Sequence, residues 1–281
     1  MERRVICGEH TILGKQVTLG ENVIIGHNCI IEDHVILGDH VYIDNNCIIR
    51  KGVSVGKDST IGAGCIIGEH LMDFYEGKRD SFHSLIIGEN ALIRSGSIIY
   101  GDSQIGRSFQ TGHRVTIREN TIIGNHVSIG TFSDIQGSCS IGNYVRLHSN
   151  VHVGKLSRID DYVWIFPGVI LTNDPTPPSD NLEGVHVKSF AVISASSVLL
   201  PGVEIESDSL VGAGAVVTKS VERYAVVVGN PAKKIADIRN IRNKGNGEPV
   251  YPWRYHFKRN MPWEKMGYEE WVKENFNVSD K

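Results

Sequence analysis

Between residues 87 and 171 an aliphatic side chain, or once a threonine, returns at every sixth position, from Ile87, Ile93 and Ile99 through Thr111, Ile129 and Leu147 to Ile159, Ile165 and Leu171. Two positions earlier sits a second, often small side chain, as at Ala91, Ser97, Ser103, Val127, Ser133 and Cys139. Glycine commonly follows, as at Gly88, Gly106, Gly124, Gly130 and Gly142. A period of six fits neither the ~3.6 of an amphipathic helix nor the alternation of a half-buried strand. It predicts short strands separated by turns, each presenting the same side inward. The same spacing runs earlier, from Cys7 through Leu13, Leu19 and Ile25 to Ile67, and later, from Val187 to Val217. Self-similarity at a fixed period is the mark of a solenoid, which grows by stacking.

Two breaks interrupt the period. From Ile67 to Ile87 the register slips, predicting an inserted loop over 69–86 that carries Phe74, Tyr75, Lys78 and Arg79; loops held out from a rigid scaffold are favoured places for binding residues. After Leu171 a proline-stiffened stretch predicts a second loop over 172–186. His10, His27, His34 and His40 fall among Asn, Asp and Glu at turn positions and read as solvated turn residues. Past Val217 the hexads stop. Residues 232–244 predict a helix ended near Gly245, and 263–276 a second one within an aromatic tail that contains Trp253, Tyr255, Phe257, Trp263 and Trp271. The chain thus divides into a rod, 1–229, and a C-terminal helical tail, 230–281.

The hexads, with the run Gly229-Asn230-Pro231-Ala232-Lys233 at their end, resemble the hexapeptide-repeat acyltransferases. That resemblance implies an all-β fold, a left-handed parallel β-helix with three hexads per coil. The hand rests on the resemblance alone, because ordinary parallel crossovers have the opposite one. It also implies a homotrimer with acyl-coenzyme A lying between adjacent rods, and places Gly212, Ala213, Lys219 and Lys234 against the coenzyme. The segments 92–100, 109–114, 128–131 and 171–174 resemble, more narrowly, the N-acetyltransferases of thymidine-diphosphate-linked 3-amino-3,6-dideoxyhexoses. The implied partners are acetyl-coenzyme A, or another acyl-coenzyme A, and a nucleotide-linked amino sugar, with no metal.

Three hexads per coil put residues 18 apart one above another. Ser95, His113, Thr131 and Ser149 then form one column, Gly96, Arg114, Phe132 and Asn150 the next, and Thr116, Asp134 and His152 a third. Asp134 and His152 should lie one rung apart, close enough for the carboxylate to orient the imidazole. Acyl transfer to an amine needs a free amine, an activated thioester and donors for the oxyanion. Asn150, which matches a polar residue near the thioester in the resembling family, is the candidate positioner or oxyanion donor. His113 is the candidate for accepting the ammonium proton or holding a sugar hydroxyl. Arg94, Ser95 and Arg114, with Tyr75 and Arg79 of the first loop, are candidates for holding the nucleotide sugar.

Composition narrows the partners. A net charge of −3 with only 29 Lys and Arg argues against a general nucleic-acid or membrane-surface binder. The N-terminal residues enter the repeat at once and no apolar run approaches the ~18 residues of a bilayer span, so the expected compartment is the cytoplasm. Cys29, Cys47 and Cys65, spaced by 18, should stack as small core residues. Rival readings are an O-acyltransferase or another amino-sugar acyltransferase on the same fold, a bare scaffold, and the zinc carbonic anhydrase that shares the β-helix. His148 and His152 are four apart, where that last family spaces two ligands by five.

Overall fold

The computed structural model describes residues 5–276, so 1–4 of the expected rod and 277–281 of the expected tail lie outside the described residues. The hexads fold as strands of mostly two residues, which stack into three sheets of 13, 11 and 10 strands. Each coil visits the first, second and third sheet in turn. Pairing within the rod is parallel and, away from the two insertions, joins residues 18 apart, as in Thr116 to Asp134 and Asp134 to His152. The result is an all-β parallel solenoid. Backbone N–H and C=O groups find partners only in the coil above or below, which is why the repeat must be long before it is stable.

Every sixth-position side chain from Ile87 to Leu171 is buried, as are the small residues two positions earlier. Cys29, Cys47 and Cys65 are fully buried as expected, whereas Cys7 and Leu13 are exposed because their coil caps the rod. The turns repeat as strictly as the core. Asn22, Asn28, His34, His40 and Asn46 all take positive φ near 60°, the left-handed conformation that Asn tolerates best. Arg114, Phe132, Tyr144, Asn150, Tyr162 and Phe190 take it too; for bulky side chains this is uncommon, and here it aims them along the corners of the rod.

Both insertions leave the second sheet and return to the third. The first runs from strand Ile66–Glu69 to strand Leu85–Ile87 and contains the short helix Met72–Tyr75. The second runs from Ile170–Leu171 to His186–Val187. They share one edge of the prism, opposite the first sheet. His83 pins the first loop, with Nδ1 2.6 Å from Asp102 and Nε2 3.0 Å from Asp73.

The predicted helix over 232–244 is corrected by the structure. Lys233–Asp237 is a strand, antiparallel to Ala225–Val228, followed by a 3₁₀ turn at Ile238–Asn240. The last strand of the first sheet would otherwise present an unpaired edge, and the returning chain satisfies it. The second predicted helix is shorter than expected, Tyr268–Phe276. It starts after Gly267 at φ 90°, while Trp263, fully buried, serves instead as a plug.

That plug fits an aromatic ladder on one corner of the rod. His126, Tyr144, Tyr162 and Phe190 stack at centroid separations of 4.6, 5.5 and 4.9 Å. Trp263 closes over Tyr162 at 5.2 Å, and the Trp253 indole N–H donates to the Phe190 carbonyl at 3.0 Å. Arg254, almost wholly buried, lies 4.4 Å above the Phe190 ring and pairs with Asp208, one coil further on. The tail is thereby clamped across the first sheet.

Candidate functional site

Gln110, Ser128, Arg146 and Trp164 succeed one another up the outward column of the first sheet. Beside them runs the corner that carries His113, Thr131 and Ser149; the register is held by Phe132 N–H donating to the His113 carbonyl at 3.0 Å and Asn150 N–H to that of Thr131 at 2.9 Å. Glycine is required between the two columns. A Cβ on Gly112 would stand 2.3 Å from the Thr131 nitrogen, and one on Gly130 2.4 Å from the His148 carbonyl carbon. On the far side the tail returns as Phe257, Arg259 and Asn260. The three walls enclose a cleft of about 520 Å³. The faces of the rod are flat, and the tail supplies the wall that makes a pocket.

Charge in this cleft is one-sided. Arg94, Arg146 and Arg259 line it with His113 and His148, and among the described residues no Asp or Glu does. Arg94 Nη1 donates to the Thr111 carbonyl at 2.5 Å. Arg146 donates to the carbonyls of His126, Val145 and Asn260. Arg259 rests on the Phe257 ring at 5.7 Å. Burial pulls the Arg146 guanidinium below its ordinary value, though an arginine remains charged after such a shift. Burial also lowers the His148 imidazole, which stacks on Phe166 at 4.6 Å.

Where the cleft meets Trp164 and Phe257 it opens into a second, apolar groove of about 540 Å³, lined by Phe166, Ala195, Ala213 and Trp253 among others. Of the four residues expected to meet the coenzyme, Ala213 lies here. Gly212 is beside it, where a Cβ would stand 2.6 Å from the Val228 side chain. Lys219 and Lys234 line a separate cavity of about 200 Å³ under the final hairpin. Lys234 Nζ is engaged by Glu222 at 2.9 Å, and that contact holds the Glu222 carboxyl below its usual range. The expected set is split between two places.

The other candidates divide as well. Arg94 and His113 line the cleft. Ser95 lies under Arg114, whose N–H donates to the Ser95 carbonyl at 3.0 Å, and Arg114 reaches over the Phe132 ring at 5.8 Å. Asn150 is exposed at the same corner. Asp134 and His152 stand on the second sheet, with His152 Nδ1 3.3 Å from Asp134 Oδ2. The hydrogen bond from His152, helped by one from Gln136, holds the Asp134 carboxyl below the ordinary carboxylate range despite its burial. Tyr75 and Arg79 are exposed on the first inserted loop, at the edge opposite the first sheet, and one chain does not bring them to Arg94. His148 and His152 face different sheets and have different partners, Phe166 and Asp134, so they do not form a shared ligand pair.

Sequence reasoning gave no place in the site to Arg146, Trp164, Phe257 and Arg259, and weighed His148 only as a metal ligand. The spacing of 18 that aligned His113 with Thr131 also aligns Ser128, Arg146 and Trp164; the tail residues obey no period and left no such signal.

Comparison with known proteins places the repeat. Residues 34–69 and 120–155 match the family described as bacterial transferase hexapeptide (six repeats), and 16–51 and 191–219 match the hexapeptide repeat of succinyl-transferase. The bifunctional protein GlmU of Synechococcus sp. (strain CC9605) is 31% identical over 51% of this chain and 34% of its own length. The 2,3,4,5-tetrahydropyridine-2,6-dicarboxylate N-acetyltransferase of Staphylococcus aureus (strain JH9) is 34% identical over 34% of each chain. The chain thus spans about a third of the length of these two curated relatives. Among solved structures, LpxA from Acinetobacter baumannii aligns with 81% of this chain and 72% of its own at 18% identity, with a TM-score of 0.47. The matched segments are thus similar to the repeat of hexapeptide transferases, and an acetyltransferase is among the relatives.

Proposed function

We propose that this chain transfers an acyl group, acetyl first, from acyl-coenzyme A to the amino group of a nucleotide-linked deoxyamino sugar, a thymidine-diphosphate-linked 3-amino-3,6-dideoxyhexose, in surface-glycan synthesis in the cytoplasm. The observation that carries this reading is the corner where His113 opens into a basic cleft while Asn150 stands on the adjoining column, on a rod whose repeat is similar to that of known transferases. A homotrimer would bring the Asp134–His152 pair of one rod toward the corner of the next.

In the reaction the sugar nitrogen attacks the thioester carbonyl. The C–N bond forms, the carbonyl electrons move to oxygen, and on collapse the C–S bond breaks to release the thiolate, which takes up the proton that His113 has received from nitrogen. Most of the rate gain comes from positioning and from donors aimed at the oxyanion. Asn150 supplies such a donor through its side-chain amide. His113 accepts the ammonium proton, Asp134 orients His152, and Arg94, Ser95 and Arg114 hold the nucleotide sugar. Ala213 and Gly212 leave room for an extended thioester arm along the apolar groove.

The test is thiol release from acetyl-coenzyme A against a panel of thymidine- and uridine-linked amino sugars. Release with a 3-amino sugar, lost in His113→Ala and Asn150→Ala, supports the reading. Release only with hydroxyl acceptors would move the chain to O-acyl transfer, and no release with any acceptor or acyl donor defeats it.

A further inference from the structure

We infer that the C-terminal tail is part of a ligand site, and that the cleft it closes on the first sheet takes a nucleoside diphosphate, with the diphosphate among Arg94, Arg146 and Arg259 and the base against Trp164 and Phe257. The inference rests on the transfer reading above for its biological context and on the cleft itself for its chemistry.

Three arginines line one concave surface, and among the described residues no carboxylate lines it. Like charges gathered without counter-ions repel one another, and Arg94 and Arg146 are half-buried, so their arrangement calls for an anion from outside. The guanidinium is planar and forked, which suits a diphosphate better than a point charge does. Arg146 is already fixed by donating to the backbone carbonyls of His126 and Asn260, so it enters binding with little rotamer freedom left to lose. Arg259 is held over Phe257. Trp164 and Phe257, in edge-to-face contact at 5.4 Å, wall the junction with the apolar groove and offer a flat ring a surface to pack on. The volume, about 520 Å³, is of the size that encloses a small molecule.

The tail's long clamp acquires a purpose in this reading. Arg254 paired with Asp208, and Trp263 plugged into the aromatic ladder, hold the segment that delivers Phe257, Arg259 and Asn260. Neither clamp residue lines the cleft; they position it.

Both an acceptor sugar nucleotide and coenzyme A contain a nucleoside diphosphate, so the test separates them. Titrate the full chain with thymidine diphosphate, uridine diphosphate and coenzyme A, and with thymidine and inorganic phosphate as halves, following tryptophan fluorescence and heat. The expected result is that at least one nucleoside diphosphate binds far more tightly than either half. Arg259→Gln, an exposed change that leaves the fold intact, weakens it by about tenfold or more, and Arg146→Gln does so further. Weakening of the thymidine or uridine ligand assigns the cleft to the acceptor; weakening of coenzyme A alone assigns it to the donor. Unaltered affinity for all of them in Arg259→Gln overturns the site. Diphosphate binding that depends on Arg259 in a protein that releases no thiol would leave this inference standing and sink the transfer reading. Normal turnover with unchanged KM for both substrates in Arg259→Gln would do the reverse.

Discussion

The two sides of the rod that depart from the bare repeat handle charge in opposite ways. At the loop edge the two cations that hold the loop have found their anions within the chain: His83 sits between Asp73 and Asp102, and Arg50 between Glu32 and Glu69. Under the tail, Arg94, Arg146 and Arg259 face one cleft with backbone carbonyls and a ring for company. The first arrangement is complete as it stands and anchors a loop. The second is completed by a ligand. Internal charge balance separates a structural ion pair from a binding site more sharply than the presence of charge does.

The largest break in the comparison should come from the clamp. Arg254→Met leaves the buried Asp208 with Arg223 alone, 3.1 Å away, and removes the contact over Phe190, which should cost about 2 kcal/mol or more. Denaturant unfolding measures that loss, and limited proteolysis should cut the freed tail while the rod survives. Gly130→Val drives a side chain into the next coil at the cleft wall and should cost about 1–3 kcal/mol, read as a lower Tm. Ser54→Val, at an outward strand position, should be near neutral. Asp134→Asn keeps shape and removes charge; under the proposed mechanism it lowers kcat roughly tenfold with little change in KM. Because the folded Asp134 carboxyl titrates below its ordinary value, its share of stability and activity is present above that ordinary value. It is lost only as pH falls through the depressed one.

The smallest effect belongs to the loop latch. Burial opposes charge on His83, yet the hydrogen bonds to Asp102 and Asp73 outweigh it and raise the imidazole above its usual value. The sign follows: the latch contributes in full below about pH 6.5 and fades as pH rises through the raised value. His83→Gln should therefore speed amide exchange in 70–84 severalfold at pH 6, with the difference shrinking toward pH 8. Exchange under the tail should be unaffected.

Much of this contrast was open to a reader of the sequence, and part was not. The period of six marked the core and the turns, and the interval of 18 brought Asp134 to His152 and His113 to Thr131, because a solenoid makes position in space a simple function of position in the chain. The helix over 232–244 went wrong where the period ended: an open sheet edge recruited Lys233–Asp237, overriding a composition that local propensity reads as helical. The aromatic ladder does follow the interval, in His126, Tyr144 and Tyr162, but its role emerges only with Trp263 laid over it. Arg259 had no periodic mark at all. Its place depends on a crossing of the first sheet that the buried pair of Arg254 and Asp208 determines.

The measurement that bears most directly on this account is a diffraction map of crystals grown with thymidine diphosphate. We expect the diphosphate on the first sheet, within hydrogen-bond distance of the Arg146 and Arg259 guanidiniums, with the tail ordered over it. A nucleotide found instead at the loop edge beside Tyr75 and Arg79, with the basic cleft vacant, would contradict it.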